Sequence, residues 1–274
     1  MRIAICTWYD DGASYGKISN EINRYWADKQ GYDIDIIASS KIYEYTMGKK
    51  PHWNRLPMLD EYLNKEENGV YYYDYVMWLD ADACFRVNNS DMNVFDNILT
   101  KYRDKDFIFS EDKNEYIKYN ILLIFMICLA IIMYILSYHI KIDVPIYVTI
   151  SIYLSLFILT VCFLMIKKYN YDYCLNSGVI IIKNTEYSRN ILKFWLSDEC
   201  YVNRVKPWQD QGCLRYSMYK NVNDIRQHSV TEKFGILQKF NYKPQDKSLI
   251  VHFANSKSKQ RNQIFNNLKQ EWSI

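Results

Sequence analysis

The stretch YVMWLDADACF, residues 75–85, contains the pattern that decides both the fold and the candidate site. A run of β-forming apolar residues stops at Asp80, and Asp82 follows one residue later. Residues two apart in an extended chain point to the same face, so these two carboxylates repel unless a cation lies between them. Hard cations such as Mg²⁺ and Mn²⁺ take oxygen ligands, commonly one or two carboxylates together with substrate phosphates. The pattern therefore predicts a buried strand that ends at a divalent-metal site.

The Asp-x-Asp spacing is by itself a weak signal. It occurs three times, as Asp33/Asp35, Asp80/Asp82 and Asp104/Asp106. The first pair opens a strand and the third lies in the charged turn YRDKDF, so both fit solvated acidic turns. Because only the second pair closes a fully apolar strand, the metal site is assigned there.

Strand-like and helix-like segments alternate on both sides of a central apolar region. The expected strands are RIAICTW, YDIDIIAS, YVMWLD, KDFIFSED, SGVIIIKN and SLIVHFA. Helices are expected in KISNEINRYWADKQG, around Leu56, Leu59, Tyr62 and Leu63, and in TEYSRNILKFWLSDE with Thr185 as N-cap. This alternation predicts an α/β fold with a mostly parallel sheet and flanking helices. Ligands of such sheets bind at the carboxyl ends of the strands, where this chain places Thr7, Asp80, Asp82 and His252.

His252 lies in LIVHFANSKSKQR and is followed by the cations Lys257, Lys259 and Arg261. An imidazole can complete the coordination of a transition ion, and the cations can neutralise phosphate. A lone histidine is more often only a polar residue with a hydrogen-bond partner, but the cations that follow favour a ligand role. The other histidines lie in contexts that suggest no function: His52, His139 and His228.

Composition excludes several classes of protein. The length of 274 residues allows one large or two small domains. The net charge is only +3, and both signs are well mixed, so nothing indicates nucleic-acid binding. Seven scattered cysteines contain no CxxC pair, which argues against a disulfide framework or a zinc site and favours a reducing compartment.

Two uncharged segments, residues 121–140 and 145–166, are separated only by the short link KIDV. A bilayer core of about 30 Å needs about 20 apolar residues as helix, and each segment has that length. Buried core helices are the alternative, but such helices usually keep a polar stripe. The sequence therefore predicts a transmembrane hairpin over 119–168. Because two spans return the chain to the side it left, residues 1–118 and 169–274 can form one domain.

The charges around the hairpin predict its orientation. The turn carries only Lys141 and His139, and the N-terminal apolar run is too short for a signal peptide. An excess of Lys and Arg near span ends favours the cytosol, so we expect the catalytic part there and not in the Golgi or ER lumen. The flanking cations are Arg103, Lys105, Lys113, Lys118, Lys167 and Lys168.

Several stretches together resemble one family, the GT-A-fold (Rossmann-like) nucleotide-sugar glycosyltransferases. The resemblance is closest to glycosyltransferase family 34, which contains galactosyl-, mannosyl- and xylosyltransferases. The stretches cover both sides of the hairpin, which has the character of an insertion between FSEDKN and CLNSGV. In order they are NRYWADKQGYDI, HWNRLPMLDEYL, YVMWLDADACF, CLNSGVIIIKN with ILKFW, WQDQGCL and IVHFANSKSK.

The resemblance implies roles for particular residues. Asp80 and Asp82 match the Asp-x-Asp motif that binds a divalent metal, usually Mn²⁺, and the nucleotide ribose and diphosphate. His252 matches the C-terminal metal-ligand histidine, and Lys257 matches a lysine that contacts the diphosphate. Thr7, at the end of the first strand, is a further candidate for nucleotide binding.

Four other residues match positions around the donor sugar. Asn176 and Gly178 match the Asn-x-Gly turn beside the sugar, and Asp210 and Gln211 match the Asp-Gln pair at the reacting carbon. Arg55 stands where the family usually has a lysine, so its role is open. Family members generally have an N-terminal anchor and work in the Golgi lumen; this sequence shows neither anchor nor leader, so a lumenal location does not carry over.

The implied reaction moves a hexose or pentose from a nucleotide-diphosphate donor to an acceptor hydroxyl, with retention of configuration. The acceptor would be a glycan, glycoprotein or glycolipid, and a Mn²⁺ or Mg²⁺ ion would assist departure of the diphosphate. Two alternatives remain. One is a non-catalytic membrane protein on a glycosyltransferase-like fold. The other is a nucleotidyltransferase, which would need a glycine-rich phosphate loop that TWYDDGASYGK only weakly imitates.

Overall fold

The computed structural model describes most of the chain outside the apolar region. The described residues are 1–10, 12–30, 33–46, 49–87, 94–111, 175–205, 209–232, 236–240, 248–254 and 256–274. Met1–Glu111 and Leu175–Ile274 form one compact unit. The predicted transmembrane hairpin over 119–168 lies outside the described residues and stays a prediction. Among the helices within the described ranges, none is long and apolar enough to cross a bilayer.

The main sheet has six strands in the order β2-β1-β5-β8-β7-β9. Its strands are β1 (Arg2–Trp8), β2 (Asp33–Ser39), β5 (Tyr75–Leu79), β7 (Phe107–Glu111), β8 (Leu175–Lys183) and β9 (Ser229–Glu232). Strand β8 runs antiparallel to both of its neighbours, and the other pairings are parallel. The expectation of a mostly parallel α/β sheet is therefore confirmed, with β8 as the reversed strand. Because of that reversal, the amino end of β8 lies beside the carboxyl end of β5.

Two smaller sheets accompany the main one. A three-stranded sheet has the order β10-β11-β6, and a two-stranded hairpin pairs β3 with β4. The strands are β3 (Glu66–Glu67), β4 (Val70–Tyr71), β6 (Ala83–Phe85), β10 (Gln238–Phe240) and β11 (Ile250–His252). The chain thus leaves the main sheet at Asp80 and soon enters the three-stranded sheet, where Ala83 pairs with His252. This crossing brings the two aspartates next to the distant histidine.

Helices cover both faces of the main sheet. They are α1 (Ser14–Ala27), α2 (Arg55–Leu63), α3 (Val94–Lys101), α4 (Glu186–Trp195), α5 (Asp198–Asn203), α6 (Asp210–Lys220), α7 (Ile225–His228) and α8 (Ser258–Glu271). In β1, Ala4 and Cys6 pack into one apolar cluster, and Ile3 and Ile5 pack into another on the opposite face. Because both faces are covered, the central strands are continuous apolar runs.

The segment TEYSRNILKFWLSDE was expected to form one helix but forms two. Thr185 caps α4 as predicted, since its side chain accepts a hydrogen bond from the Ser188 amide. The helix ends at Trp195, and Ser197 then caps α5 by accepting a hydrogen bond from the Cys200 amide at 3.2 Å. The break follows from Ser197, whose hydroxyl satisfies one of the free amide groups of a new helix start.

Candidate metal centre and donor cleft

The three predicted metal ligands converge. Asp80, Asp82 and His252 each offer one ligand atom, and these atoms all lie within 4.8 Å of one another. His252 Nε2 is 3.0 Å from Asp82 Oδ1 and 3.7 Å from Asp80 Oδ2. Two carboxylates and an imidazole form a donor set that suits a divalent ion such as Mn²⁺. The site can therefore hold the cation that the sequence predicted.

Nearby charges outweigh burial in setting the pKa values of both Asp82 and His252. Burial alone would raise the pKa of Asp82, but His252 and Arg261 outweigh it and lower that pKa below its ordinary value. Burial alone would likewise lower the pKa of His252, but Asp82 and Asp80 raise it. Arg261 contributes through a contact of 2.7 Å between its Nη2 atom and Asp82 Oδ2. The positive charge of Arg261 beside the metal centre is compatible with strongly anionic ligands.

The start of β8 also borders the metal centre. Asn176 Oδ1 accepts a hydrogen bond of 2.7 Å from the Gly178 amide, and the Gly178 carbonyl accepts one of 2.9 Å from the Asp80 amide. A Cβ atom on Gly178 would lie 2.9 Å from Asp80 Oδ2 and would overlap the ring of His252. The glycine is therefore required because the strand passes directly against two of the metal ligands.

Replacing Gly178 by alanine should weaken Mn²⁺ binding by about 10-fold or more, because the added methyl group must displace His252 or Asp80 from its position. Mn²⁺ titration of the purified full chain measures the effect. Gly12→Ala is the matched control, since a Cβ atom there meets only Asp10 Oδ1 at 3.4 Å. Wild-type Mn²⁺ affinity in the Gly178 variant would contradict this account of the glycine.

Arg55 joins the metal centre to the predicted Asp-Gln pair. Its Nη2 atom lies 3.1 Å from Asp80 Oδ1, and its Nε atom lies 3.1 Å from Asp210 Oδ2. The second contact is an ion pair that lacks hydrogen-bond alignment. The Nη1 atom donates to the Ser177 carbonyl. One buried guanidinium therefore connects β5, β8 and α6, which is a geometry that a lysine could not reproduce with a single ammonium group.

Asp210 and Gln211 begin α6 and face the same cleft. Burial raises the pKa of Asp210, and the positive charge of Arg55 opposes that rise. The Gln211 side chain is held by β8: Ser177 Oγ donates to its Oε1 at 2.9 Å, and its Nε2 donates to the Leu175 carbonyl at 3.1 Å. The two side chains are thus fixed before any ligand binds.

The metal centre, Arg55 and the Asp210–Gln211 pair line one cleft of about 650 Å³. Trp8, Tyr9 and Tyr15 add aromatic surface to it, and Lys50 adds a cation. The predicted site residues that line the cleft are Arg55, Asp80, Asp82, Asn176, Gly178, Asp210, Gln211 and His252.

Two predicted site residues lie elsewhere, and their roles stay predictions. Thr7 is buried within β1, and its neighbour Trp8 reaches the cleft instead. Lys257 is exposed at the N-cap of α8, where its amide donates to Gln260 Oε1 at 3.0 Å. Arg261, one turn further along the helix, lines the cleft instead.

The sequence did not reveal the positions or contacts of His52, Trp78 and Asp106. His52 was assigned no function, yet it lines the cleft. Trp78 donates from Nε1 to Asp80 Oδ1 at 2.7 Å, which a strand pattern cannot reveal. Asp106 was expected in a solvated turn, and this was wrong: its carboxylate contacts His228 Nδ1 at 2.6 Å and accepts from Thr185 Oγ1 at 2.5 Å.

Comparison with known proteins shows the fold. No family model and no curated protein matches the chain. A solved glycosyltransferase involved in glycosylation of the major capsid of PBCV-1 is similar, with a TM-score of 0.59 and 13% identity over 97% of this chain and 100% of that chain. The galactosyltransferase LgtC, solved with donor and acceptor sugar analogs, gives a TM-score of 0.48 and 12% identity over 100% of this chain and 99% of that one. Mouse xyloside xylosyltransferase 1 gives a TM-score of 0.44 and 6% identity over 93% of this chain and 98% of that one.

The first of these similarities supports a conclusion about architecture. The chain has a mixed α/β fold whose central sheet resembles that of GT-A glycosyltransferases. The other two similarities are too distant to carry an argument. The narrower assignment to glycosyltransferase family 34 stays a prediction, since at 13% identity only the fold can be compared.

Proposed function

We propose that this protein is a metal-dependent glycosyltransferase that moves a sugar from a nucleotide-diphosphate donor to an acceptor hydroxyl. The observation that carries the proposal is the convergence of Asp80, Asp82 and His252 in a cleft of a sheet that resembles those of glycosyltransferases. Cation ligands at the end of a strand are expected where a diphosphate must be bound and then released.

The side chains in the cleft suit this chemistry. A divalent cation, when bound there, neutralises the charge that grows on the departing diphosphate. Arg261, beside Asp82, adds positive charge on the same side of the cleft. Asp210 is buried beside Arg55. A carboxylate in that position can stabilise positive charge that develops on the sugar ring. Gln211, the next residue in the chain, lines the same cleft as Asp210.

The finer details of the proposal come from the family resemblance and from the types of ligand atom at the metal site. A nitrogen ligand beside two carboxylates favours Mn²⁺ over Mg²⁺. The sugar is a hexose or a pentose, and the reaction retains its configuration. The acceptor is a glycan, glycoprotein or glycolipid; the similar PBCV-1 enzyme, which takes part in capsid glycosylation, makes a protein-linked acceptor one reasonable case to test.

A donor screen tests the proposed function. The full chain, purified in detergent, is incubated with different nucleotide sugars, and released nucleoside diphosphate is measured with Mn²⁺ and with a chelator. At least one donor should be turned over, and only with the metal. Pyrophosphate release from a nucleoside triphosphate would instead support the nucleotidyltransferase alternative. Failure to bind any nucleotide would support the non-catalytic one.

We also propose that residues 121–140 and 145–166 attach the protein to a membrane, with both chain ends in the cytosol. The motivation is the length of the apolar segments and the excess of Lys and Arg on their flanks. In sealed microsomes, tags at both termini should be digested by added protease without detergent. Protection of either tag would contradict the cytosolic orientation. Acceptors would then be lipid-linked or protein molecules at the cytosolic surface.

A further inference from the structure

The metal-ligand histidine has a buried partner on the side that faces away from the aspartates. His252 Nδ1 lies 3.0 Å from Gln238 Oε1, and both residues are buried. The parallel pairing of β10 with β11 brings Phe240 opposite His252, and Gln238 lies two residues earlier on the same strand. Phe240 also contacts the imidazole ring, edge to face, at 5.4 Å. Strand β10 therefore fixes the ring in two ways.

We propose that Gln238 is a positioning residue for the metal centre, which selects the His252 tautomer that carries its proton on Nδ1. The inference rests on the proposed function, in which His252 binds a cation through Nε2. A neutral imidazole has one N–H group and one lone pair. When Nδ1–H donates to the Gln238 carbonyl oxygen, the lone pair remains on Nε2, the atom that faces Asp80 and Asp82.

The position of Gln238 is better explained by this contact than by packing. Its Nε2 atom is buried and has no hydrogen-bond partner among the described residues. A buried amide group without a partner lowers stability, and a leucine of similar size would avoid that loss. The contribution that a leucine could not make is the carbonyl oxygen directed at His252.

Two substitutions separate a positioning role from a packing role. Gln238→Leu keeps the approximate size and removes the acceptor, whereas Gln238→Glu keeps an acceptor oxygen. Positioning predicts that Gln238→Leu weakens Mn²⁺ binding by about 10- to 100-fold and that Gln238→Glu binds Mn²⁺ as the wild type does. Packing predicts the reverse order, because leucine is tolerated in a buried position and a carboxylate is not.

The measurement uses the full chain in detergent and follows free aqueous Mn²⁺ by electron paramagnetic resonance. Gln227→Leu, on the exposed surface of α7, is the matched control and should bind Mn²⁺ normally. If Gln238→Leu binds Mn²⁺ with wild-type affinity, the inference is wrong although the proposed metal site stands. If the wild-type protein binds no Mn²⁺, the proposed function fails and the inference falls with it.

A second measurement needs no variant of Gln238 and so does not depend on its folding. In ¹⁵N-histidine-labelled wild-type protein with Mg²⁺, the His252 signals are identified by their loss in His252→Asn. The expected result is a protonated Nδ1 and an unprotonated Nε2. Protonation of Nε2 in the Mg²⁺-loaded protein would overturn the proposal.

Discussion

Replacing Asp82 by alanine should lower metal-dependent donor turnover on the order of 10³-fold, because the diphosphate charge then develops without a properly held cation. Asp82 contacts both His252 and Arg261, so its loss removes one ligand and also releases a second ligand and a nearby cation. Release of nucleoside diphosphate, measured at saturating Mn²⁺, gives the size of the effect.

The chain contains a natural control for this experiment. Asp104 belongs to another Asp-x-Asp sequence but is exposed and pairs only with the adjacent Lys105 at 3.2 Å among the described residues. Asp104→Ala should therefore leave turnover unchanged. Asp82→Asn keeps the shape of the side chain and removes its charge, so its donor turnover should be lowered as in the alanine variant. Wild-type turnover by the Asp82 variants, or turnover by the wild type in chelator, would refute the metal assignment.

Replacing Arg55 by methionine should destabilise the fold by about 3 kcal/mol, since removing one partner of a buried ion pair leaves an uncompensated charge. The side chains of Arg55 and Asp210 are only 5% and 4% exposed, so water cannot replace the lost contact. The melting temperature should fall by about 6–10 °C, as expected for a domain of this size. Thermal unfolding followed by tryptophan fluorescence gives the shift.

Arg24→Met provides the comparison for Arg55, because Arg24 lies on the exposed face of α1. That variant should melt within about 2 °C of the wild type, in keeping with the small effects of surface substitutions. The melting temperature of Arg55→Lys should lie between those of Arg55→Met and Arg24→Met. The lysine keeps the positive charge but lacks the planar group that reaches three partners. An Arg55→Met variant that melts like the wild type would show that Asp80 and Asp210 do not depend on the arginine.

Local patterns predicted much of this structure correctly. The run before Asp80 forms β5, and the amphipathic segment around Ile22 and Trp26 forms α1. These features depend on side-chain periodicity, which is a property of neighbouring residues. The two aspartates were chosen as metal ligands on the same basis, because two carboxylates on one face at the end of an apolar strand repel each other without a cation.

Features that depend on distant partners were missed or misjudged. The sequence suggested neither β9 nor β10, which are short and become strands only by pairing with β7 and β11. Asp106 was taken for a solvated turn residue, but its partner His228 is 122 residues away. Gln238 carried no signal for the same reason, since only the pairing of β10 with β11 brings it to His252.

By itself the sequence determined most strands of the main sheet, the helices α1 and α2, and which side chains have the chemistry of a cation site. Only the tertiary structure decided that β8 runs against its neighbours, so that Asn176 and Gly178 reach the cleft from the amino end of a strand. It also decided that His252 meets Asp82 across 170 residues of chain and that Arg261, not Lys257, lines the cleft. The physical reason is that secondary structure follows from contacts between near neighbours, whereas strand direction and site assembly follow from burying apolar faces that are far apart in the chain.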